Sequence, residues 1–182
     1  MQTNSDIKTS RLDVLICCGS GCISAGALKI KEKMEGELTR HNLSSEVNLI
    51  ETGCMGPCDF GPVMMVYPDD VFYRKVSVDD VEELVEEHFL KGRPLKRLMV
   101  QDENEKVLTA KAEIPFYKEQ QKVALDKCGY LDPDSIEEYI ALGGYEALGK
   151  VITEMKPEAA IEMVKKSGLR GRGGGGFSTG TK

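Results

Sequence analysis

Long apolar runs are missing from this 182-residue sequence. None approaches the ~20 residues a helix needs to cross a bilayer, which excludes direct membrane insertion through a helix. No signal-peptide core precedes the first strand candidate at Leu12. An excess of basic charge is also missing: 24 Lys and Arg stand against 30 Asp and Glu. The net charge of −6 argues against nucleic acid as a main partner, because a phosphate backbone calls for a basic face. No Cys-x-x-Cys occurs, which speaks against a thiol–disulfide oxidoreductase. No Gly-Lys-Ser/Thr follows the terminal glycines, so there is no P-loop. These absences lead to the expectation of a cytoplasmic protein. The 41% hydrophobic content is enough to build a core.

The chain opens with a β-α-β pattern. "LDVLIC" (12–17) reads as a buried strand ending in a glycine-rich turn. "SAGALKIKEKMEGELTRHNL" (24–43) reads as an amphipathic helix with Leu28, Met34 and Leu38 on its apolar face, weakened by Gly36. "EVNLIE" (46–51) is the second strand, "GPVMMVYP" (61–68) the third, and "VFYRKV" (71–76) the fourth. The short connection between the last two predicts an antiparallel hairpin. "SVDDVEELVEEHFLKG" (77–92) predicts a helix capped by Ser77, with Asp80 three residues on and Gly92 after its end. A β-α-β unit gives parallel strands, and the added hairpin and helix produce a thioredoxin-like α/β domain over 1–97. Residues 98–116 read as a linker. Four helices are then expected, over 117–129, 132–144 with Asp132 as cap, 144–155 and 156–168.

Five of the six cysteines fall in "CCGSGC" (17–22) and "CMGPC" (54–58). If the first two strands are parallel neighbours, both loops leave the same carboxyl edge of the sheet. Three readings compete for Cys17-x4-Cys22 and Cys54-x3-Cys58. A disulfide pair suits a reducing compartment poorly. A structural zinc site with four thiolates is the second reading, since tetrahedral sulfur suits both zinc and iron. A [2Fe–2S] cluster fits better, because two irons need two thiolates each and paired loops supply them. The glycines let backbone amides approach the sulfurs. Cys17 is favoured over its neighbour Cys18, whose side chain in an extended segment faces the other way. Cys18 and Cys128 read as small buried hydrophobes.

"ICCGSGC", "TGCMGPCDFGPVMMVYPDDVFYRKV" and "VDDVEELVEEHFLKGRPLKRL" resemble the thioredoxin-like [2Fe–2S] ferredoxin domain. The resemblance runs from about residue 10 to residue 98 and implies Cys17, Cys22, Cys54 and Cys58 as cluster ligands. All-cysteine ligation implies a low potential, near the roughly −400 mV of plant-type ferredoxins.

The chain closes on "GLRGRGGGGFSTGTK" (168–182). Consecutive glycines present backbone amides without side-chain obstruction, so such a loop can cradle a phosphate. Residues 117–182 resemble the opening of the flavoprotein subunit of NADH dehydrogenases and NAD(P)-linked iron hydrogenases. That resemblance implies an FMN and NAD(H) loop carried by Gly171, Arg172, Gly173, Gly174, Gly176, Phe177, Thr179, Gly180 and Lys182. Ser178 departs from the family's proline, which should cost loop rigidity. The remaining FMN fold and the cysteines of a [4Fe–4S] cluster have no counterpart in this sequence. The expected site is therefore incomplete, and the expected partners are NAD(P)H and the other subunits of a dehydrogenase or hydrogenase complex. The chain alone is expected not to oxidise NAD(P)H.

Overall fold

A computed structural model describes residues 10–123, 126–127 and 131–182. The described chain forms two compact units, one reaching Asp134 and the other spanning Ser135–Lys182.

In the first unit, β1 (Leu12–Cys17), β2 (Val47–Thr52), β3 (Met64–Tyr67) and β4 (Val71–Tyr73) form one sheet in the order β2-β1-β3-β4. β1 runs parallel to β2 and antiparallel to β3, and β3 and β4 make the expected hairpin. This is the thioredoxin-like α/β fold read from the sequence. The register sets Cys17 opposite Thr52 at the carboxyl end of both parallel strands, so their following loops emerge side by side.

The helix expected over 24–43 forms as α2 (Ala27–Arg40), preceded by a short α1 (Ser20–Ser24) from which Gly26, at φ +101°, separates it. Only glycine adopts that left-handed turn freely. The buried face of α2 is Ala27, Ile30, Met34 and Leu38, while Leu28 lies on the solvent side. Leu28 is one step from Ala27, about 100° around the helix, which turns it out of the stripe.

The third helix starts as read. Ser77 Oγ and its backbone N–H both donate to Asp80 Oδ2, at 2.6 and 2.8 Å. A 3₁₀ turn at Val78–Asp80 leads into α3 (Val81–Glu83), which widens to π-helical bonding over Leu84–Leu90. Its end is closed by Gly92 at φ +67°, with Gly92 N–H donating to His88 and Arg93 N–H to Glu87.

The segment read as a linker is ordered. β5 (Val100–Gln101) pairs with β6 (Val107–Leu108), and Leu95, Leu98, Met99, Val100, Leu108 and Ile114 are buried in the main core. These apolar residues follow no helical or strand period, yet all are buried in one core cluster. α4 (Pro115–Lys118) follows. The helix predicted over 117–129 does not form at Gln120–Val123, and Ala124, Leu125, Cys128 and Gly129 lie outside the described residues.

The second unit contains α5 (Ile136–Ala141), α6 (Glu146–Glu154) and α7 (Pro157–Lys166). Ser135, not Asp132, caps α5, its Oγ accepting from the Glu138 N–H. Asp132 instead accepts from the Asp134 N–H in a local turn. Pro157 occupies the first turn of α7, where its missing N–H costs nothing. None of the three helices buries a residue.

Candidate metal centre

The two cysteine loops meet at the carboxyl edge of the parallel strands. Cys17 ends β1, Cys22 sits in α1, and Cys54 and Cys58 flank the loop after β2. Burial is graded: Cys17 and Cys22 are buried, whereas Cys54 and Cys58 face solvent. Contact between the loops is close. A Cβ on Gly19 would stand 3.0 Å from Cys54 Cβ and 3.3 Å from its sulfur, and one on Gly61 would stand 3.1 Å from Cys22 Sγ. The backbone of Gly19 is ordinary extended chain, so its lack of a side chain is needed for the approach of the loops, not for the turn.

The thiols stand as two pairs. Cys17 acts on the Cys22 thiol and Cys54 on the Cys58 thiol, each raising its neighbour. Burial pushes the Cys22 thiol up to about 11, and Cys17 and Cys58 add to the rise. Cys58 is raised first by charge on Cys54 and then by the hydrogen bond to it. A bound metal ion would favour the thiolate form of Cys22 and Cys58 and offset these upward shifts. Among the described residues, no three His, Cys, Asp or Glu side chains gather around a single ion. Four cysteines on two adjoining loops suit a two-iron cluster, which takes two thiolates at each iron. Met55 N–H points at Cys17 Sγ from 3.5 Å, the kind of amide donor that offsets negative charge on a bound cluster.

Cys18 is turned away. Burial first, then the carboxylate of Glu51 to which it hydrogen-bonds, raises its thiol. Glu51 in turn accepts from Lys31 at 2.6 Å. The end of β1 at Cys17 thus leaves the two adjacent cysteines in different surroundings.

Two residues with no motif also reach this loop. Tyr117 Oη donates to the Met55 carbonyl at 3.1 Å, and Phe116 lies over Gly56, whose φ is +114°. The sequence signal, an aromatic pair after Ile-Pro in a polar stretch, is too weak to have found them.

In the second unit the structure brings the glycine-loop residues together. Gly171 N–H donates to Phe177 and Thr179 N–H to Leu169, closing a hairpin-like loop, and Arg170 Nε donates to the Gly176 carbonyl. Gly173, Gly174 and Gly175 border open space, and Arg172 and Phe177 are exposed. Gly180 presses on α7, where a Cβ would come within 2.6 Å of Lys165 backbone. Thr179, Gly180 and Lys182 line a cavity of about 450 Å³ with Ile161, Val164 and Lys165.

A thioredoxin-like sheet with two cysteine pairs on its rim defines a class of small cysteine-rich α/β domains. Within that class the family is specific: residues 4–88 match the thioredoxin-like [2Fe–2S] ferredoxin family, and the chain belongs to it. It is 46% identical over 79 residues to a 2Fe-2S ferredoxin of Clostridium pasteurianum, covering 43% of this chain and 78% of that one. It is 57% identical over 65 residues to the NADP-reducing hydrogenase subunit HndC of Solidesulfovibrio fructosivorans, covering 36% of this chain and 13% of that subunit. It is also 57% identical over 47 residues to a subunit of the NADH-quinone oxidoreductase of Buchnera aphidicola subsp. Acyrthosiphon pisum, covering 26% of this chain and 11% of that one. The chain therefore spans a small part of the two larger relatives. Among the described residues no helix is long and apolar enough to cross a membrane.

Proposed function

We propose that the first unit is a one-electron relay whose [2Fe–2S] cluster is held by Cys17, Cys22, Cys54 and Cys58. When bound, the cluster supplies reversible one-electron chemistry at low potential. The chain's own part is to gather the thiols, shield one pair and leave the other at the surface for exchange with a partner. The observation that carries this reading is the close approach of the two cysteine loops at one edge of the sheet, with Cys17 and Cys22 buried and Cys54 and Cys58 at the surface.

The relay belongs, in this reading, to an NAD(P)H-linked oxidoreductase complex in the cytoplasm, of the NADH dehydrogenase or hydrogenase kind. The identities with subunits of both support it. Residues 135–182 would then contribute one wall of an FMN and NAD(H) site, with the glycines of 171–180 along the nucleotide and Arg172 and Lys182 supplying positive charge. Glycines bordering open space suit that role, because backbone can approach a flat ligand there.

Anaerobic purification with iron and acid-labile sulfide analysis tests the relay. Two irons and two sulfides per chain are expected, with a brown colour that bleaches on dithionite. A colourless protein with one zinc per chain overturns it.

A further inference from the structure

We propose that Tyr117 is a positioning residue that sets how easily the cluster is reduced, a role that rests on the cluster reading above. Tyr117 lies well beyond residue 88, where the family match ends. It nevertheless reaches back across the sheet to the loop that carries Cys54 and Cys58. Its hydroxyl donates to the Met55 carbonyl at 3.1 Å. The N–H of the same residue faces Cys17 Sγ at 3.5 Å. Met55 is therefore held at both ends, by Tyr117 on its carbonyl and by Cys17 on its amide, with its side chain buried between them.

The ring of Tyr117 is itself fixed. It packs edge-on to Phe72 with centroids 5.7 Å apart, and edge-on to Phe116 at 5.2 Å. The Lys111 ammonium sits 5.0 Å from its centroid, a cation–π contact. Phe116 closes the other side of the loop: a Cβ on Gly56 would lie 2.9 Å from its ring. The two aromatic residues of α4 thus clamp Met55 and Gly56, the middle of the Cys54–Cys58 loop.

An N–H aimed at a cluster sulfur favours the reduced, more negative state, and the Tyr117 hydroxyl acts in the same direction by two routes. It fixes the Met55 backbone so that the amide stays on the sulfur. It also neutralises the negative end of the Met55 carbonyl dipole, which would otherwise oppose an added electron.

Tyr117→Phe removes one oxygen and keeps every ring contact. In the full chain, the variant should bind iron and sulfide as the parent does but be harder to reduce. The reduced-to-oxidised ratio at a fixed potential should fall by about two- to tenfold, the range of one neutral hydrogen bond. Replacing Tyr117 with 3-fluorotyrosine, a stronger donor of the same shape, should move the ratio the opposite way. EPR-monitored redox titration reads both. An unchanged ratio in both variants, with full cluster content, overturns the proposal. So does a Tyr117→Phe chain that loses stability and cluster while the 3-fluorotyrosine chain keeps the parent's potential, because that pattern marks structural support alone. A parent chain without iron and sulfide defeats the cluster reading itself, and is told apart by metal analysis before any titration.

Discussion

Adjacent cysteines at the end of β1 carry different chemistry because Cys17 closes the strand and Cys18 begins the loop beyond it. Cys17 is at the thiol cluster and Cys18 is beside Glu51 and Lys31. Single Cys→Ala changes at Cys17, Cys22, Cys54 or Cys58 should therefore abolish the visible absorption and the EPR signal of the reduced protein, whereas Cys18→Ala should keep both. A second residue-scale prediction concerns His88. Its ring, fully buried, bridges Tyr73 Oη at 2.8 Å and Asp69 Oδ2 at 3.0 Å. Burial lowers its folded-state pKa, outweighing the pull of Asp69 toward the charged form. A histidine depressed in the folded state takes up protons preferentially on unfolding, so its contribution is complete above the unfolded value, about 6.5, and is lost as pH falls below it. Thermal melts of the parent and His88→Gln should show this. The parent's advantage, present at pH 7.5, should shrink on acidification toward pH 5.5, and a constant gap would count against it.

At the scale of elements, α2 shows where propensity and packing separate. Gly36 sits in the helix interior, exposed, and a Cβ there would meet nothing within 4 Å. Gly36→Ala should stabilise the first unit by about 0.5–1 kcal/mol, read from denaturant midpoints at constant slope. The same change at Gly26 should destabilise, because φ +101° there suits only glycine. Sequence pattern singled out Gly36 but not Gly26, since a left-handed turn between two helical segments leaves no periodic mark. The capping box at Ser77 and Asp80 was legible for the opposite reason: its two hydrogen bonds are local, three residues apart.

For the whole molecule, the boundary of the first unit lies beyond Leu98. Ile114 is buried in its core, and Phe116 and Tyr117 touch the cysteine loop. The three helices of the second unit instead carry exposed apolar residues, among them Ile140, Leu142, Leu148, Ile152, Ile161 and Val164. Limited proteolysis should leave a brown, cluster-bearing core whose carboxyl end lies past Tyr117, while cutting within 135–182 proceeds faster. Mass spectrometry of the resistant product checks it. A product ending near Leu98 with the cluster intact would show that β5, β6 and α4 contribute nothing to the core.

The strand order along the chain, the parallel pairing of β1 with β2 and the two cysteine loops were legible before folding. Those features depend on local period and on fixed spacing, which a chain displays before it folds. The fate of residues 92–118 was settled by long-range packing. Leu95, Leu98, Met99, Leu108 and Ile114 follow no period, yet all five are buried in the main core. Tyr117 likewise follows no period. Its phenol matters only because folding brings it to a carbonyl 62 residues earlier in the chain, a contact that no local pattern encodes.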